Sequence, residues 1–226
     1  MKRIFTALLP VIAVAAITVV AAAADLSSSA SLPATKATFV VTGTLKPCAN
    51  WGHYYVFHVG ANASSVRRGL LHFDLSSIPA NAEITSAKLS VYETITLRGS
   101  GVVGAHRVTT PWAEGTGANT CTNDGATWEL ATPDTPWLSP GGDYSATGES
   151  TVTKRAGDAP GWDTFDLTSL VRGWANGTYP NDGVLLKLDD ESPSPCTTVT
   201  NCNYWPYASN DYSDSSLRPI LTVTYG

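Results

Sequence analysis

Charge is scarce in this chain. Only 15% of its 226 residues are Asp, Glu, Lys or Arg, and there is a single Met. A disordered chain would be richer in charge and poorer in aromatics. Neither a Gly triplet period nor a charged heptad occurs, which excludes collagen and coiled coil. The low charge and lone Met also argue against a helical bundle. No Lys/Arg cluster extends beyond the pairs Arg67-Arg68 and Lys154-Arg155. Such a chain is a poor partner for phosphate backbones, so nucleic acid and anionic lipid surfaces are not expected ligands. No CxxC pair is present and the histidines lack ligand spacing, which argues against zinc. What is present is 43% hydrophobic residues, 19 Gly, 14 Pro and 7 Trp. The length allows one domain of roughly 200 residues, large enough to bury about 70% of the surface its unfolded chain exposes.

The N-terminus reads as a targeting segment. Lys2 and Arg3 precede an apolar stretch from Ile4 to Ala24, densest from Leu8 to Val20, and Ala21–Ala24 supply the small residues a signal peptidase needs. Pro10 and the short basic flank favour a cleaved signal peptide, residues 1–24, over an uncleaved membrane anchor. Cleavage leaves a secreted chain of 12 basic and 19 acidic residues, net −7, with no further membrane-entering stretch. Residues 25–37 are small and polar and are expected to form a flexible leader. Residues 38–226 then form a single domain.

Export makes disulfides plausible among Cys48, Cys121, Cys196 and Cys202. Three connectivities are open. Cys196 and Cys202 enclose only five residues, which favours a local staple and leaves Cys48 with Cys121.

From Thr38 onward, short β runs alternate with turn residues. The runs are Thr38–Thr42, Tyr54–Val59, Gly69–Leu75, Ile84–Tyr92, Val102–Val108, Trp162–Leu167, Gly183–Leu188 and Pro219–Tyr225. Alternation is clearest in ITSAKLSVYE, where Leu89 and Val91 face one way and Lys88, Ser90 and Tyr92 the other. The expected fold is all-β: a two-sheet antiparallel jelly-roll sandwich with long ordered loops. One short helix interrupts it. In DLTSLVRGWANG, Leu167, Leu170, Val171 and Trp174 share a helical face, Asp166 or Thr168 can cap the start, and Gly177 sits just past the end. Trp174 is expected in the core. Residues 109–160 are harder to read, with a short strand expected near Ala126–Leu130 and ordered loops on either side.

No GxSxG elbow, HExxH, P-loop or GxGxxG before a helix is present. His53, His58, His72 and His106 have no catalytic spacing, and four paired cysteines leave no thiolate nucleophile. The expectation is therefore a protein that is not an enzyme. Two features point to binding. Aromatic residues flank the cysteines: Trp51 and Tyr54 near Cys48, and Tyr204, Trp205 and Tyr207 after Cys202, with Trp137 in a loop. An aromatic face can stack on the C–H face of a pyranose while amides and carboxylates take its hydroxyls. The loop carboxylates Glu114, Asp143, Asp211 and Asp214 are candidates for a structural Ca²⁺, the one cofactor expected, without EF-hand spacing.

The run Arg67–Glu93, RRGLLHFDLSSIPANAEITSAKLSVYE, resembles the DNRLRE domain of secreted and cell-surface bacterial and archaeal proteins. The family's opening NxG and VG elements are matched by Asn50-Trp51-Gly52 and Val59-Gly60. Its RVTxxWxEG is matched by Arg107-Val108-Thr109, Trp112, Glu114 and Gly115, and its ATW and PGGD by Ala126–Trp128 and Pro140–Asp143. Its helical segment is matched across Gly161–Lys187 and its RPxLxVxY ending across Arg218–Tyr225. Two departures stand out: His72 replaces a usual basic or polar residue, and no acid opens the first strand. The resemblance, shared with disaggregatase-related repeats, implies a jelly-roll module that recognises a polysaccharide or a cell-surface or matrix glycan. Relatives accompany polysaccharide-degrading enzymes, including alginate lyases. At net −7, a neutral or matrix glycan suits this chain better than polyanionic alginate. The alternative is a structural matrix or adhesion protein that self-associates, and less favoured still is a glycan-cleaving enzyme. The shared motif residues also read as structural: Phe73, Leu75, Ile84, Leu89 and Val91 as core, and Trp112, Trp128 and Trp162 as packed under loops.

Overall fold

The computed structural model describes residues 27–43, 47–96, 99–192 and 203–226. The signal-peptide reading and the Cys196–Cys202 pairing lie outside the described residues. Twelve strands and one helix are described: β1 (Ser28–Val41), β2 (Val56–Ala61), β3 (Val66–Phe73), β4 (Ile84–Glu93), β5 (Gly101–Arg107), β6 (Leu130–Thr132), β7 (Thr135–Pro136), β8 (Ser150–Lys154), β9 (Gly161–Asp166), α1 (Thr168–Ala175), β10 (Val184–Leu188), β11 (Asn203–Ala208) and β12 (Ile220–Tyr225).

The sheet is not the open two-sheet jelly-roll sandwich that the strand pattern and the resemblance predict. Six strands close into a barrel in the order β1-β12-β4-β11-β2-β3, with β3 pairing back to β1. The cause is the length of β1. Its first part, Ser28–Pro33, pairs with β12, and its second, Ala34–Val41, pairs with β3, the change falling at a register shift between Ala34 and Lys36. One strand thus bridges two edges that would otherwise stay open. It also corrects the flexible leader, because residues 28–37 are ladder-bonded strand. Pro33 is tolerated where the partner changes, since no ladder position there needs its missing N–H. Strands β10, β5 and β8 extend from β3 as a wing, and β9 adds to β4.

The period-2 pattern explains the barrel interior. On β4, Ala87, Leu89 and Val91 are fully buried, while Lys88, Ser90 and Tyr92 line the other face. There they meet the outward residues of β9: Lys88 pairs with Asp166 at 2.8 Å and Tyr92 packs edge-on against Trp162. Trp162 is 46% exposed, so it is not packed under a loop as expected. Phe39, Phe57, Phe73, Phe165, Trp205 and Leu221 fill the same interior, and α1 docks Leu170, Val171 and Trp174 onto it. Asp166 accepts from the Thr168 backbone at the helix start, and Gly177 adopts φ +74° just past its end.

Strands β3 and β10 are buried on both faces. Leu71, Val184 and Leu186 face the barrel, whereas Leu70 and Leu185 face a second core with Val40, Val108, Trp112, Ala126, Ala131 and Trp137. Loops from residue 109 to 149 cover this second core. They contain the β6–β7 hairpin, so only Leu130 of the strand expected near Ala126–Leu130 is in a strand.

A buried side chain wires this layer together. Asn50 donates to the carbonyls of Glu114 (2.8 Å) and Ala126 (3.0 Å) and accepts from the amides of Gly52 (3.0 Å) and Gly117 (2.9 Å). All four of its hydrogen-bonding positions are satisfied. Gly115 has φ +76°, and a Cβ there would lie 2.5 Å from the Asn50 amide oxygen. The Cys48–Cys121 disulfide, whose ends are 73 positions apart in sequence, clamps the same two loops.

Candidate functional site

Strand register decides which aromatics can meet a ligand. On β11, Trp205 and Tyr207 stand opposite Val59 and Phe57 of β2, and all four face the barrel interior. Trp205 is 1% exposed and Tyr207 fully buried, so neither offers a face to a sugar. Trp137 is also buried, its indole N–H donating to the Thr127 carbonyl at 3.0 Å. These three expected stacking residues are core residues. Trp51 is half-buried, with its ring 4.6 Å from Phe39 and its indole nitrogen enclosed without a partner.

The alternate residues of the same strands point outward and build a groove of about 310 Å³. Its walls include Tyr54, Tyr55 and His58 on one side, Tyr204 and Pro206 on β11, and Tyr212 beyond it. The Tyr54 and Tyr55 rings lie 4.7 Å apart at 45°, and His58 and Tyr204 lie 5.4 Å apart. Arg67 holds its guanidinium 4.6 Å above the Tyr204 ring, fixing that ring from behind. Tyr55, at 55% exposed, and Ile95 form the open rim.

The electrostatics of the groove are subdued. Burial and the Arg67 charge lower His58 to about 3, so its imidazole is neutral near pH 7. Burial and the hydrogen bond to Tyr55 raise the Tyr54 hydroxyl. The groove therefore presents neutral aromatic faces with hydroxyl and imidazole edges. Of the expected sugar contacts, Tyr54 and Tyr204 lie here. Tyr55, adjacent to Tyr54 in the aromatic run near Cys48, lies here too, whereas sequence reading missed His58 and Tyr212; the Y-W-P-Y alternation on β11 carried the signal that Tyr204 and Trp205 face opposite ways.

The calcium candidates do not converge. Glu114 accepts from the Ala37 amide at 2.7 Å and from Asn210 at 2.9 Å, and burial raises its carboxyl. Asp143 accepts from the Leu138 and Ser139 amides and the Thr110 hydroxyl; burial raises it, but these bonds outweigh burial and hold it low. Asp214 caps the 3₁₀ turn Ser215–Leu217, and Asp211 lies 3.4 Å from His53. Among the described residues, no three His, Cys, Asp or Glu side chains gather as a metal-binding group.

A closed β-barrel carrying a wired loop layer and a shallow outer aromatic groove defines a scaffold that presents a surface. The chain matches the family model of the disaggregatase related repeat domain across residues 45–223, and it belongs to that family. The match spans the barrel strands from β2 onward, the loop layer and the groove. No curated protein shows significant similarity to the chain.

Proposed function

We propose that this protein is a secreted, non-catalytic carbohydrate-binding module of the DNRLRE type, and that the β2–β11 groove receives the sugar. The observation that carries this reading is the convergence of Tyr54, Tyr55, Tyr204 and Tyr212 on one outer groove. Partly exposed tyrosines offer flat apolar faces for pyranose C–H groups and hydroxyls for its polar rim. Arg67 is a groove-side cation already engaged with Tyr204, which favours a neutral or matrix glycan over a polyanion.

Affinity electrophoresis in neutral and acidic polysaccharides, guided by a glycan array, tests the reading. Tyr55→Ala should cut retardation roughly tenfold, the loss of about 1.5 kcal/mol of stacking, without shifting the unfolding midpoint. No retardation of the parent protein on any polysaccharide would remove the proposal. Reducing-end assays on the same polysaccharides should stay flat.

A second reading, a self-associating structural or adhesion protein, draws support from Trp162 and Tyr92. Exposed Trp162 on β9 packs edge-on against half-buried Tyr92 on β4, and among the described residues β9 pairs with β4 alone. Light scattering across concentration separates the two: a monomer that binds sugar favours the groove.

A further inference from the structure

Lys154, Glu93 and Asp163 meet in the interior as a buried charged cluster. Lys154 ends β8, Glu93 ends β4 and Asp163 lies on β9. The Lys154 amine nitrogen is 2.6 Å from Glu93 Oε2 and 2.7 Å from Asp163 Oδ2, with side-chain exposures of 5%, 2% and 12%. The fully buried Tyr207 hydroxyl donates to the same Asp163 oxygen at 2.6 Å. Glu93 Oε1 is enclosed without a hydrogen-bond partner.

A stability role explains this cluster poorly. Three charges out of water carry a desolvation penalty that an apolar trio of similar volume avoids. One carboxylate would suffice to neutralise the lysine. The arrangement instead holds an amine within hydrogen-bond distance of one carboxyl group while a second carboxylate, as close, stands by to take its proton.

We propose that Lys154 and Asp163 condense into an intramolecular isopeptide bond, with Glu93 relaying the protons. Glu93 takes a proton from the ammonium, and the freed lone pair attacks the Asp163 carboxyl carbon. A C–N bond forms, and charge gathers on the oxygen that Tyr207 already hydrogen-bonds. The other Asp163 oxygen then leaves as water. Two of the three ammonium hydrogens depart in that water, the third stays on the amide nitrogen, and Glu93 ends as it began. No oxidant or outside reactant is required. Enforced contact between the partners replaces an encounter that water would make rare.

The proton affinities are consistent with the relay. Burial raises the Glu93 carboxyl toward accepting a proton. Burial lowers the Lys154 ammonium, but its two carboxylate partners outweigh this and raise it, so the neutral amine arises through transfer to Glu93. Burial and the Asp163 charge raise Tyr207 well above its ordinary value, which keeps it a donor.

Topology gives the bond a purpose. Among the described residues, β8 is the last strand of the wing and ladders with β5 alone, and β9 ladders with β4 alone. These two strands pack together without a ladder between them. A Lys154–Asp163 bond would be a covalent rung across that gap, tying the wing to the barrel.

Intact mass spectrometry of the reduced full chain tests the proposal, with K154R as a reference that undergoes the same processing. The parent should be lighter than its sequence mass by one water, whereas K154R and D163A should sit at theirs. E93Q should also sit at full mass, although both bonding residues remain. Fragmentation of a digest should yield a branched peptide joining Lys154 to Asp163. A parent at full mass overturns the proposal whether or not any variant folds. So does a water loss that survives K154R, or a branch placed at Glu93.

Discussion

The barrel interior and the core beneath the loop layer share strands β3 and β10 but are held by different means. In the barrel, backbone groups satisfy one another along ladders, and alternation alone sends Leu89, Val91 and Phe73 inward. In the loop layer few ladders exist, so side chains complete the hydrogen bonding: Asn50 at one node, Asp143 at another, Thr127 within a single turn and Asp124 across to Thr116. A backbone buried without regular structure must find such partners or lose stability. The barrel should therefore tolerate changes of shape better than the loop layer tolerates a change of polarity.

Asn50→Ala is the sharpest way to break that contrast. It strands two carbonyls and two amides in a buried site, at about 1–3 kcal/mol each before relaxation. Urea unfolding should show a loss on the order of 5 kcal/mol, with hydrogen exchange accelerated first in residues 109–149. If the whole barrel opened at the same rate, the two regions would be one cooperative unit. Leu89→Ala should cost about 3–4 kcal/mol through lost contact and a residual cavity. Its exchange signature should spread across the barrel strands and not settle in the loops.

Acid provides the smaller test, on the outer face of the barrel. His58 has a folded-state pKa of about 3, below the ordinary 6.5, so between these values the unfolded chain binds the proton and the folded chain does not. Stability is thus complete above pH 6.5 and falls as pH drops toward 3. Chemical unfolding at pH 7 and pH 5 should show the parent losing about 2 kcal/mol more than His58→Gln. Equal losses would mean that the imidazole is solvated.

Residue patterns made the barrel strands legible because a half-buried strand has to alternate. All eight expected runs are strands, several with ends shifted by one to three residues. Three strands, β7, β8 and β11, escaped, and β6 meets the strand expected near Ala126–Leu130 at Leu130 alone. β8, STVTK, has one buried residue in five and reads as a polar loop. β11 contains Pro206, which argues against a strand, yet its carbonyl accepts from Thr94 and its neighbours carry the pairing with β2. The hairpin strands β6 and β7 are too short to show a period. The start of β1 is small and polar because only Leu32 in that stretch turns fully inward, so composition alone could not separate it from a tail. Barrel closure depends on that strand's change of partner, which no local pattern encodes. The candidate site was half visible for a related reason. Aromatic content near β2 and β11 was plain, but facing depends on register, and register placed Trp205 and Tyr207 inside and Tyr204 outside.

The pairing of Ser28 with Tyr225 puts the two ends of the barrel's seam side by side. Tension applied through those ends would load the β1–β12 rungs one after another, as a zipper opens, and not all together in shear. Resistance to pulling would then begin where β1 passes from β12 to β3, making the seam the module's mechanical fuse.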